Sequence, residues 1–328
     1  MLRLPPFRYL RPGSLAEAVD FLGEHCGEAI PVAGGTDLVP NMKHRLFEPS
    51  YLVAIKDLGE LQGIREEDGH LAIGAGVTLS AVAGSSEVAR WAPTLAEAAG
   101  NVAGPQIRNA ATLGGNLCLD TRCTYYNQTR FWRSALGFCL KKDGDICHVT
   151  RVGKKCVAAH SADTPPVLMV LGAEAELRGP QGPRRIPVAD FFVTDGVWNT
   201  VREPSEIVVR ILVPRPGPTT RAACCKLRLR ASIDFPLLTV AVAADLDGDD
   251  RVASIRGVVT GLGARPRTLQ GWQELAEGRI LDDELVDALS ERAHSQCHPL
   301  ENIIVDPDWR RAMVPVYVRR ALARLRTA

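Results

Sequence analysis

The sequence has no excess of charge of either sign. Its 39 lysines and arginines stand against 38 aspartates and glutamates, so the 328 residues carry a formal net charge of +1. A protein that binds nucleic acid or an anionic membrane through its overall electrostatic field needs a large positive excess. We therefore expect no nucleic-acid partner and no membrane partner, and any partner must be recognised by a local surface.

Long apolar runs are also missing. No stretch approaches the roughly 20 apolar residues that cross a bilayer as a helix, and the opening Met1-Leu2-Arg3-Leu4-Pro5-Pro6 contains no apolar signal core. Hydrophobic residues make up 46% of the chain and charged residues 23%, so its length is enough to bury the cores of about two or three domains. We expect a cytoplasmic protein.

The motifs of several enzyme classes are absent as well. The sequence has no G-x-S-x-G, no H-E-x-x-H and no tight pair among its 7 histidines, which argues against acyl transfer and zinc hydrolysis. It also lacks G-x-G-x-x-G and G-x-x-x-x-G-K-[ST], which disfavours a Rossmann or P-loop nucleotide site. We expect no catalytic acid, base or nucleophile in this chain.

Two glycine pairs each close a short apolar run. They lie in Gly34-Gly35-Thr36 and in Gly114-Gly115-Asn116. Consecutive glycines leave backbone N–H groups open to close approach, which is what a pyrophosphate requires. Each pair taken alone also fits an ordinary turn, so the residues themselves leave both interpretations open.

Five of the 9 cysteines lie within 39 residues: Cys118, Cys123, Cys139, Cys147 and Cys156. Clustered cysteines in an intracellular protein more often bind metal or do redox chemistry than form disulfides. The last four are separated by 15, 7 and 8 residues, which matches no C-x-x-C zinc motif. The spacing leaves open a [4Fe–4S] cluster, a zinc site with His148 or His160 as a ligand, and unligated thiols, with Cys118 as a competing ligand.

The segment from Leu119 to His160 is basic and aromatic. It carries eight lysines or arginines against three aspartates, an excess of +5, and five aromatic residues. The aromatic residues indicate that the segment packs against something. Its positive charge would offset anionic thiolates, or face an acidic electron donor. A solvated basic loop is the simpler alternative.

Local patterns predict several elements. Ser14-Leu15-Ala16-Glu17 has capping-box spacing and opens an amphipathic helix. Apolar runs at 237–246 and 252–262, joined by Asp247-Gly248-Asp249-Asp250, predict a β-hairpin. By default, Asp163 is a helix N-cap and Lys226 lies on the solvent side of a strand. The arginines from Arg310 onward are expected to form the solvated face of a terminal helix.

Two segments together resemble a family. Val32-Ala33-Gly34-Gly35-Thr36-Asp37-Leu38 and Asn109-Ala110-Ala111-Thr112-Leu113-Gly114-Gly115-Asn116-Leu117 are similar, in this order and at the family's spacing, to the two FAD loops of the flavoprotein subunit of the xanthine oxidase or molybdenum hydroxylase family. The resemblance continues through Asp163-Thr164-Pro165-Pro166 into the C-terminal part and covers nearly the whole chain. It implies that the two loops hold the FAD pyrophosphate, that Asp163 contacts the flavin nucleotide, and that Lys226 lies near the isoalloxazine. The FAD residues implied in this way are Val32, Ala33, Gly34, Gly35, Thr36, Asp37, Leu38, Thr112, Leu113, Gly114, Gly115, Asn116, Asp163 and Lys226.

The resemblance also implies the fold. We expect an α+β chain with an FAD-binding fold of the PCMH or vanillyl-alcohol-oxidase type. Two α/β subdomains, residues 1–57 and 58–216, would precede a C-terminal domain at 217–328. That domain would be an antiparallel sheet with helices, similar to the C-terminal domain of CO dehydrogenase flavoproteins. The second subdomain would carry an iron–sulfur insertion at 119–160.

An insertion in the sequence points to one particular group within this family. Family members usually run from the second glycine pair almost directly into the aspartate segment, whereas about forty residues intervene here. An insertion with four cysteines at this position resembles that of the 4-hydroxybenzoyl-CoA reductases, where it binds an extra [4Fe–4S] cluster. This resemblance implies the ligands Cys123, Cys139, Cys147 and Cys156 and leaves Cys118 outside the set.

The same resemblance implies function and partners. We expect an FAD- and [4Fe–4S]-containing subunit that passes electrons from a ferredoxin-like donor to the [2Fe–2S] centres of a small subunit and the molybdenum cofactor of a large subunit. The complex, a heterohexamer built as a dimer of heterotrimers, would reduce 4-hydroxybenzoyl-CoA to benzoyl-CoA in anaerobic aromatic degradation. Two alternatives are a flavin subunit of an oxidative molybdenum hydroxylase and a flavoprotein with a zinc-stapled docking arm.

Overall fold

The computed structural model describes residues 2–326 and begins with a small parallel α/β unit. The first helix buries Ala18, Val19 and Leu22, and the hydroxyl of Ser14 caps it by accepting from the Glu17 N–H at 3.2 Å. The three strands pair in parallel in the order β1-β3-β2. In chain order the elements are β1 (Arg8–Leu10), α1 (Leu15–Glu24), β2 (Ala29–Val32), α2 (Leu38–Lys43) and β3 (Tyr51–Ala54).

A five-stranded antiparallel sheet with helices follows, in the strand order β4-β5-β8-β6-β7. Its core includes Leu71, Ile73, Leu95 and Phe191, all with no exposed surface. The strands are β4 (Ile64–Glu67), β5 (His70–Gly74), β6 (Glu174–Gly179), β7 (Gly182–Pro187) and β8 (Ile207–Pro214). The helices are α3 (Leu79–Gly84), α4 (Ser86–Trp91), α5 (Pro93–Gly100), α6 (Pro105–Arg108), α7 (Leu113–Leu117), α8 (Arg130–Ala135) and α9 (Thr164–Val170).

Residues 119–160, which we call the cysteine arm, contain α8 but otherwise consist of turns and isolated bridges. The arm is nevertheless packed. Cys123, Tyr126, Cys139 and Cys156 form a small core that includes Leu46 of the first unit. The prediction that the aromatic residues pack is therefore confirmed for Tyr126, whereas Phe131 is exposed.

The last unit is a four-stranded antiparallel sheet, in the order β12-β11-β10-β9, covered by helices. The predicted hairpin at 237–262 is confirmed as the pair β10 and β11. The strands are β9 (Thr220–Leu227), β10 (Leu238–Leu246), β11 (Val252–Thr260) and β12 (Arg267–Thr268), and the helices are α10 (Trp272–Ala276), α11 (Asp283–Gln296) and α12 (Pro307–Arg326). The α+β class with a C-terminal antiparallel sheet is as predicted.

The expected solvated face of α12 is confirmed for Arg319, Arg320 and Arg324, which are exposed, and is wrong for Arg310. Arg310 is completely buried instead of lying on a solvated face. Its guanidinium donates to three backbone carbonyls, those of Leu237, Leu300 and Gly261. Burial without a carboxylate partner lowers the pKa of Arg310 to about 10.

None of the helices within residues 2–326 combines the length and apolar composition of a membrane span.

Candidate functional site: two glycine loops and a four-cysteine cavity

The structure brings the two glycine loops into direct backbone contact. A Cβ atom placed on Gly34 would overlap the carbonyl oxygen of Ala110 and lie 2.6 Å from its carbonyl carbon. Gly35 adopts a φ of +68°, in the left-handed region that glycine tolerates. The first loop therefore needs glycine at both positions, at Gly34 for space and at Gly35 for backbone conformation.

The second loop is held against the sheet and against α9. A Cβ atom on Gly114 would lie 2.6 Å from the Cβ of Ala75, so this glycine also fits where no side chain can. Thr112 caps α7 by accepting from the Gly115 N–H at 3.1 Å. The Oδ1 of Asn116 accepts from the backbone N–H of Thr164 at 3.2 Å and from its hydroxyl at 2.7 Å. Asn116 thus joins the second loop to the residue after Asp163.

Asp163 and Lys226 form a buried ion pair. The Nζ of Lys226 lies 2.8 Å from the Oδ2 of Asp163, and the two side chains are 6% and 7% exposed. Lys226 is therefore not on the solvent side of β9, and Asp163 occupies the N-cap position of α9 without a side-chain capping bond. Burial raises the pKa of Asp163 to about 6, against the opposing effect of Lys226.

These residues fit an FAD. The Oδ1 of Asp163 is buried and has no hydrogen-bond partner among the described residues, and a buried carboxylate oxygen of this kind is stabilised by an N–H or O–H of a bound ligand. Gly115 is exposed, so a ligand can approach the second loop without meeting a side chain, and the N–H groups of residues 113–116 already donate within the protein. Ala33, Thr36, Asp37 and Leu38 are partly exposed along the first loop and the start of α2, whereas Val32 and Leu113 are buried and support the loops from below.

The four arm cysteines share one cavity. Cys123, Cys139, Cys147 and Cys156 are all buried, and they line a space of about 20 Å³ together with Tyr126, Lys141 and His148. Cys118 does not line this cavity. His160 lies elsewhere, with its Nδ1 2.6 Å from the Thr260 hydroxyl, and burial lowers the pKa of His160 to about 3. Of the two histidines considered as ligands, only His148 is at the cavity.

Four cysteine thiols at one cavity are a donor set that suits either an iron–sulfur cluster or a zinc ion. Across residues 2–326, histidine, cysteine, aspartate and glutamate side chains form no group of three close enough to hold one metal ion. Tetrahedral zinc would need its sulfur ligands to converge to about 2.3 Å from one point. The four thiols all line one cavity, and four thiolates are the ligand set of a [4Fe–4S] cluster.

Hydrogen bonds reach two of these sulfurs, Cys147 and Cys156, and burial still raises the pKa of Cys156. The N–H of Ala158 donates to the Sγ of Cys156 at 3.4 Å. Burial raises the pKa of Cys147, but hydrogen bonds from Thr150, Val149 and Val157 outweigh it and hold the pKa below its usual value. Burial raises the pKa of Cys123 to about 11, and a metal bound by this sulfur would have to displace its proton.

Two residues that sequence reasoning missed hold the arm in place. Asn302 donates from Nδ2 to the Val157 carbonyl at 2.7 Å, and its own carbonyl accepts from the Thr124 N–H at 2.9 Å. The buried guanidinium of Arg133 donates to the carbonyls of His44 and Arg45 at 3.2 and 3.0 Å. Both contacts join segments distant in sequence, and no local pattern marks them.

A third missed residue, Gly196, lies directly against a cysteine. A Cβ atom on Gly196 would be 2.9 Å from the Sγ of Cys156, and the Gly196 N–H donates to the Cys156 carbonyl at 2.8 Å. The local signal was the Asp195-Gly196 pair, which is typical of a turn. Nothing in the sequence linked that turn to Cys156.

Comparison with known proteins places these features in context. A family model described as the FAD binding domain in molybdopterin dehydrogenase matches residues 5–216, and one described as the CO dehydrogenase flavoprotein C-terminal domain matches residues 223–325. The chain is 32% identical over 319 residues to the carbon monoxide dehydrogenase medium chain of Hydrogenophaga pseudoflava, covering 97% of this chain and 96% of that one. It is 34% identical over 257 residues to the aldehyde oxidoreductase FAD-binding subunit PaoB of Escherichia coli, covering 75% and 80% of the two chains. A solved structure of carbon monoxide dehydrogenase from Hydrogenophaga pseudoflava superposes with a TM-score of 0.82 at 29% identity over 99% of both chains.

Proposed function

The chain belongs to the FAD-binding subunits of the molybdenum hydroxylase family, and from this premise we propose that it is the FAD and [4Fe–4S] subunit of a 4-hydroxybenzoyl-CoA reductase. It would take electrons from a ferredoxin-like donor and deliver them to a small [2Fe–2S] subunit and a large molybdenum subunit. Within this proposal the chain divides into FAD-binding subdomains at 1–57 and 58–216 and a C-terminal domain at 217–328.

One observation carries the proposal. Four buried cysteines face a single cavity in an arm that is inserted between the second glycine loop and Asp163. All nine cysteines are free, and a free cysteine is commonly buried as a small apolar residue, so it is the four thiols' shared cavity, and not their burial, that favours a ligand set. A four-thiolate [4Fe–4S] site accounts for the number of cysteines, for their burial and for the N–H donors at Cys147 and Cys156.

The residues assigned to FAD have positioning roles. Bound FAD would supply the capacity to exchange one or two electrons. The glycine loops would hold the pyrophosphate where no side chain blocks its approach, and the buried pair of Asp163 and Lys226 would fix the polar edge of the nucleotide. None of these residues is required as a general acid, base or nucleophile.

The surface of the arm suits an acidic protein donor. Phe131 and Val152 are 85% and 92% exposed, and the exposed cations Arg130, Lys154 and Lys155 lie on the same arm. Exposed apolar side chains and exposed cations on one arm favour a small acidic redox protein, because complementary charge speeds encounter and apolar contact holds the complex. We assign the ferredoxin-like donor to this surface, in a cytoplasmic complex assembled as a dimer of heterotrimers.

An oxidative hydroxylase is the second candidate. It is favoured by the 32% identity to a carbon monoxide dehydrogenase chain and the 34% identity to an aldehyde oxidoreductase chain. In that function electrons would leave the complex through this subunit to an acceptor, and the arm would be an additional relay.

Turnover of the complex purified under anaerobic conditions separates the two candidates. The reductase predicts that chemically reduced ferredoxin drives conversion of 4-hydroxybenzoyl-CoA to benzoyl-CoA, measured by liquid chromatography. A complex that is reduced by ferredoxin without forming benzoyl-CoA, yet oxidises an aldehyde or a purine with a dye acceptor, would contradict the reductase and favour the second candidate. Stoichiometric zinc without iron or sulfide in the arm would contradict both assignments of an electron relay.

A further inference from the structure

A lysine lies almost completely buried at the wall of the four-cysteine cavity. The side chain of Lys141 is 3% exposed. Among the described residues that line the cavity, it is the one lysine, and the lining holds no arginine, aspartate or glutamate. A buried ammonium is costly unless it is compensated, so its contacts show what fixes it there.

The ammonium of Lys141 is held by oxygen atoms on two segments. Its Nζ lies 2.6 Å from the Oδ1 of Asp120 and 2.6 Å from the Gly196 carbonyl oxygen, and it also contacts the hydroxyl and the carbonyl of Thr121 at 2.5 and 3.2 Å. The ring of Tyr126 lies 4.5 Å from Nζ. Because an ammonium has three hydrogens, these acceptors occupy every donor and fix the position of the charge.

This position is close to a cysteine. Gly196, whose carbonyl accepts from Lys141, is the residue that packs against the Sγ of Cys156. The compensating carboxylate of Asp120 is more exposed, at 21%, and does not line the cavity. The cation of the pair therefore belongs to the residue that lines the cavity, and while burial raises the pKa of Cys156, the charge of Lys141 acts against that rise.

We propose that Lys141 is a positioning residue whose fixed positive charge raises the reduction potential of the iron–sulfur cluster assigned to this cavity. The inference rests on the proposed [4Fe–4S] site. Reduction adds one negative charge to a body already surrounded by four thiolates, and net charge is one determinant of cluster potential. A buried cation favours the reduced form far more than an exposed one, because solvent screens exposed charges.

The neighbouring lysine provides the matched control. Lys142 is 31% exposed, pairs with Asp143 at 3.2 Å and does not line the cavity. Lys141→Met and Lys142→Met remove the same charge one residue apart. Asp120→Asn provides a change of opposite sign, since it keeps the ammonium and removes its compensating charge.

The test is a potentiometric titration of the complex followed by low-temperature EPR. We expect a lower cluster potential in Lys141→Met, a higher one in Asp120→Asn and an unchanged one in Lys142→Met. Unchanged potentials in Lys141→Met and Asp120→Asn, with iron content equal to the wild type, would overturn the inference. If Lys141→Met loses its iron, Asp120→Asn decides: a raised potential supports the role of the charge, and an unchanged potential overturns it. A wild-type complex without this cluster would instead overturn the proposed function.

Discussion

The guanidinium of Arg122 donates to the Oδ1 of Asp37 at 2.8 Å, and this ion pair joins the first glycine loop to the cysteine arm. Arg122 directly precedes Cys123, and Asp37 directly follows Thr36. The guanidinium also lies 4.0 Å from the centre of the Phe235 ring, which belongs to the C-terminal unit. Three parts of the chain therefore meet at one cation, between the residues assigned to FAD and those assigned to the cluster.

Replacing Arg122 with Met should weaken the junction without emptying either site. Both charges are 25% exposed, so the pair contributes about 0.5–1 kcal/mol to stability. We expect a small drop in the thermal unfolding temperature, full flavin and iron content, and slower reduction of the flavin by the donor in stopped-flow measurements. Unchanged flavin reduction kinetics would show that the junction has no role in coupling the two sites.

Gly34 tests the contact between the two loops. Gly34→Ala should destabilise the chain by about 2–3 kcal/mol, because the new methyl group would overlap the backbone of Ala110, and it should release FAD while iron is retained. Gly84→Ala is the matched control, since a Cβ at this helical position meets nothing within 4 Å, and alanine there is neutral or stabilising by about 0.5–1 kcal/mol. Urea unfolding and flavin absorbance measure both effects, and equal stability of the two variants would contradict the close contact.

The raised pKa of Asp163 predicts the direction in which the stability of the folded chain changes with pH. The folded chain keeps this proton up to about pH 6, whereas the unfolded chain releases it near pH 4. The stabilisation from protonated Asp163 is therefore lost as pH rises through this window. In flavin-free protein, the stability of wild type relative to Asp163→Asn should fall by about 2 kcal/mol between pH 4 and pH 6.5. A difference that does not change with pH in urea unfolding would contradict the raised pKa.

Asn302 should control how firmly the arm is closed over the cavity. Asn302→Ala removes the donor to the Val157 carbonyl and leaves buried polar groups unpaired, at a cost of about 1–3 kcal/mol. We expect faster loss of iron to a chelator, with the exposed His298 in the same loop, changed to Ala, as a control. Equal rates of iron loss in the two variants would show that Asn302 does not hold the arm.

Local sequence patterns predicted the parts of the molecule whose conformation is determined by neighbouring residues in the chain. The hairpin at 237–262 was predictable because β-branched runs flank an Asp-Gly turn, and the glycine loops because glycine serves backbone geometry directly. Lys226 and Arg310 were both predicted from local patterns to face solvent, and both predictions were wrong for the same reason. Each is buried by partners distant in the sequence, Asp163 for Lys226 and carbonyls of separate segments for Arg310. The periodicity of apolar residues predicts which residues share one face of a strand or helix, but it does not predict which distant segment packs on that face.

The central claim is that the four arm cysteines bind an iron–sulfur cluster separate from the flavin, and low-temperature EPR of the reduced complex tests it most directly. We predict that Cys139→Ser removes one cluster signal while flavin content and the [2Fe–2S] signals stay at wild-type levels, and that Cys118→Ser, outside the cavity, leaves the spectrum unchanged. Identical spectra and iron contents for wild type and Cys139→Ser would contradict the claim.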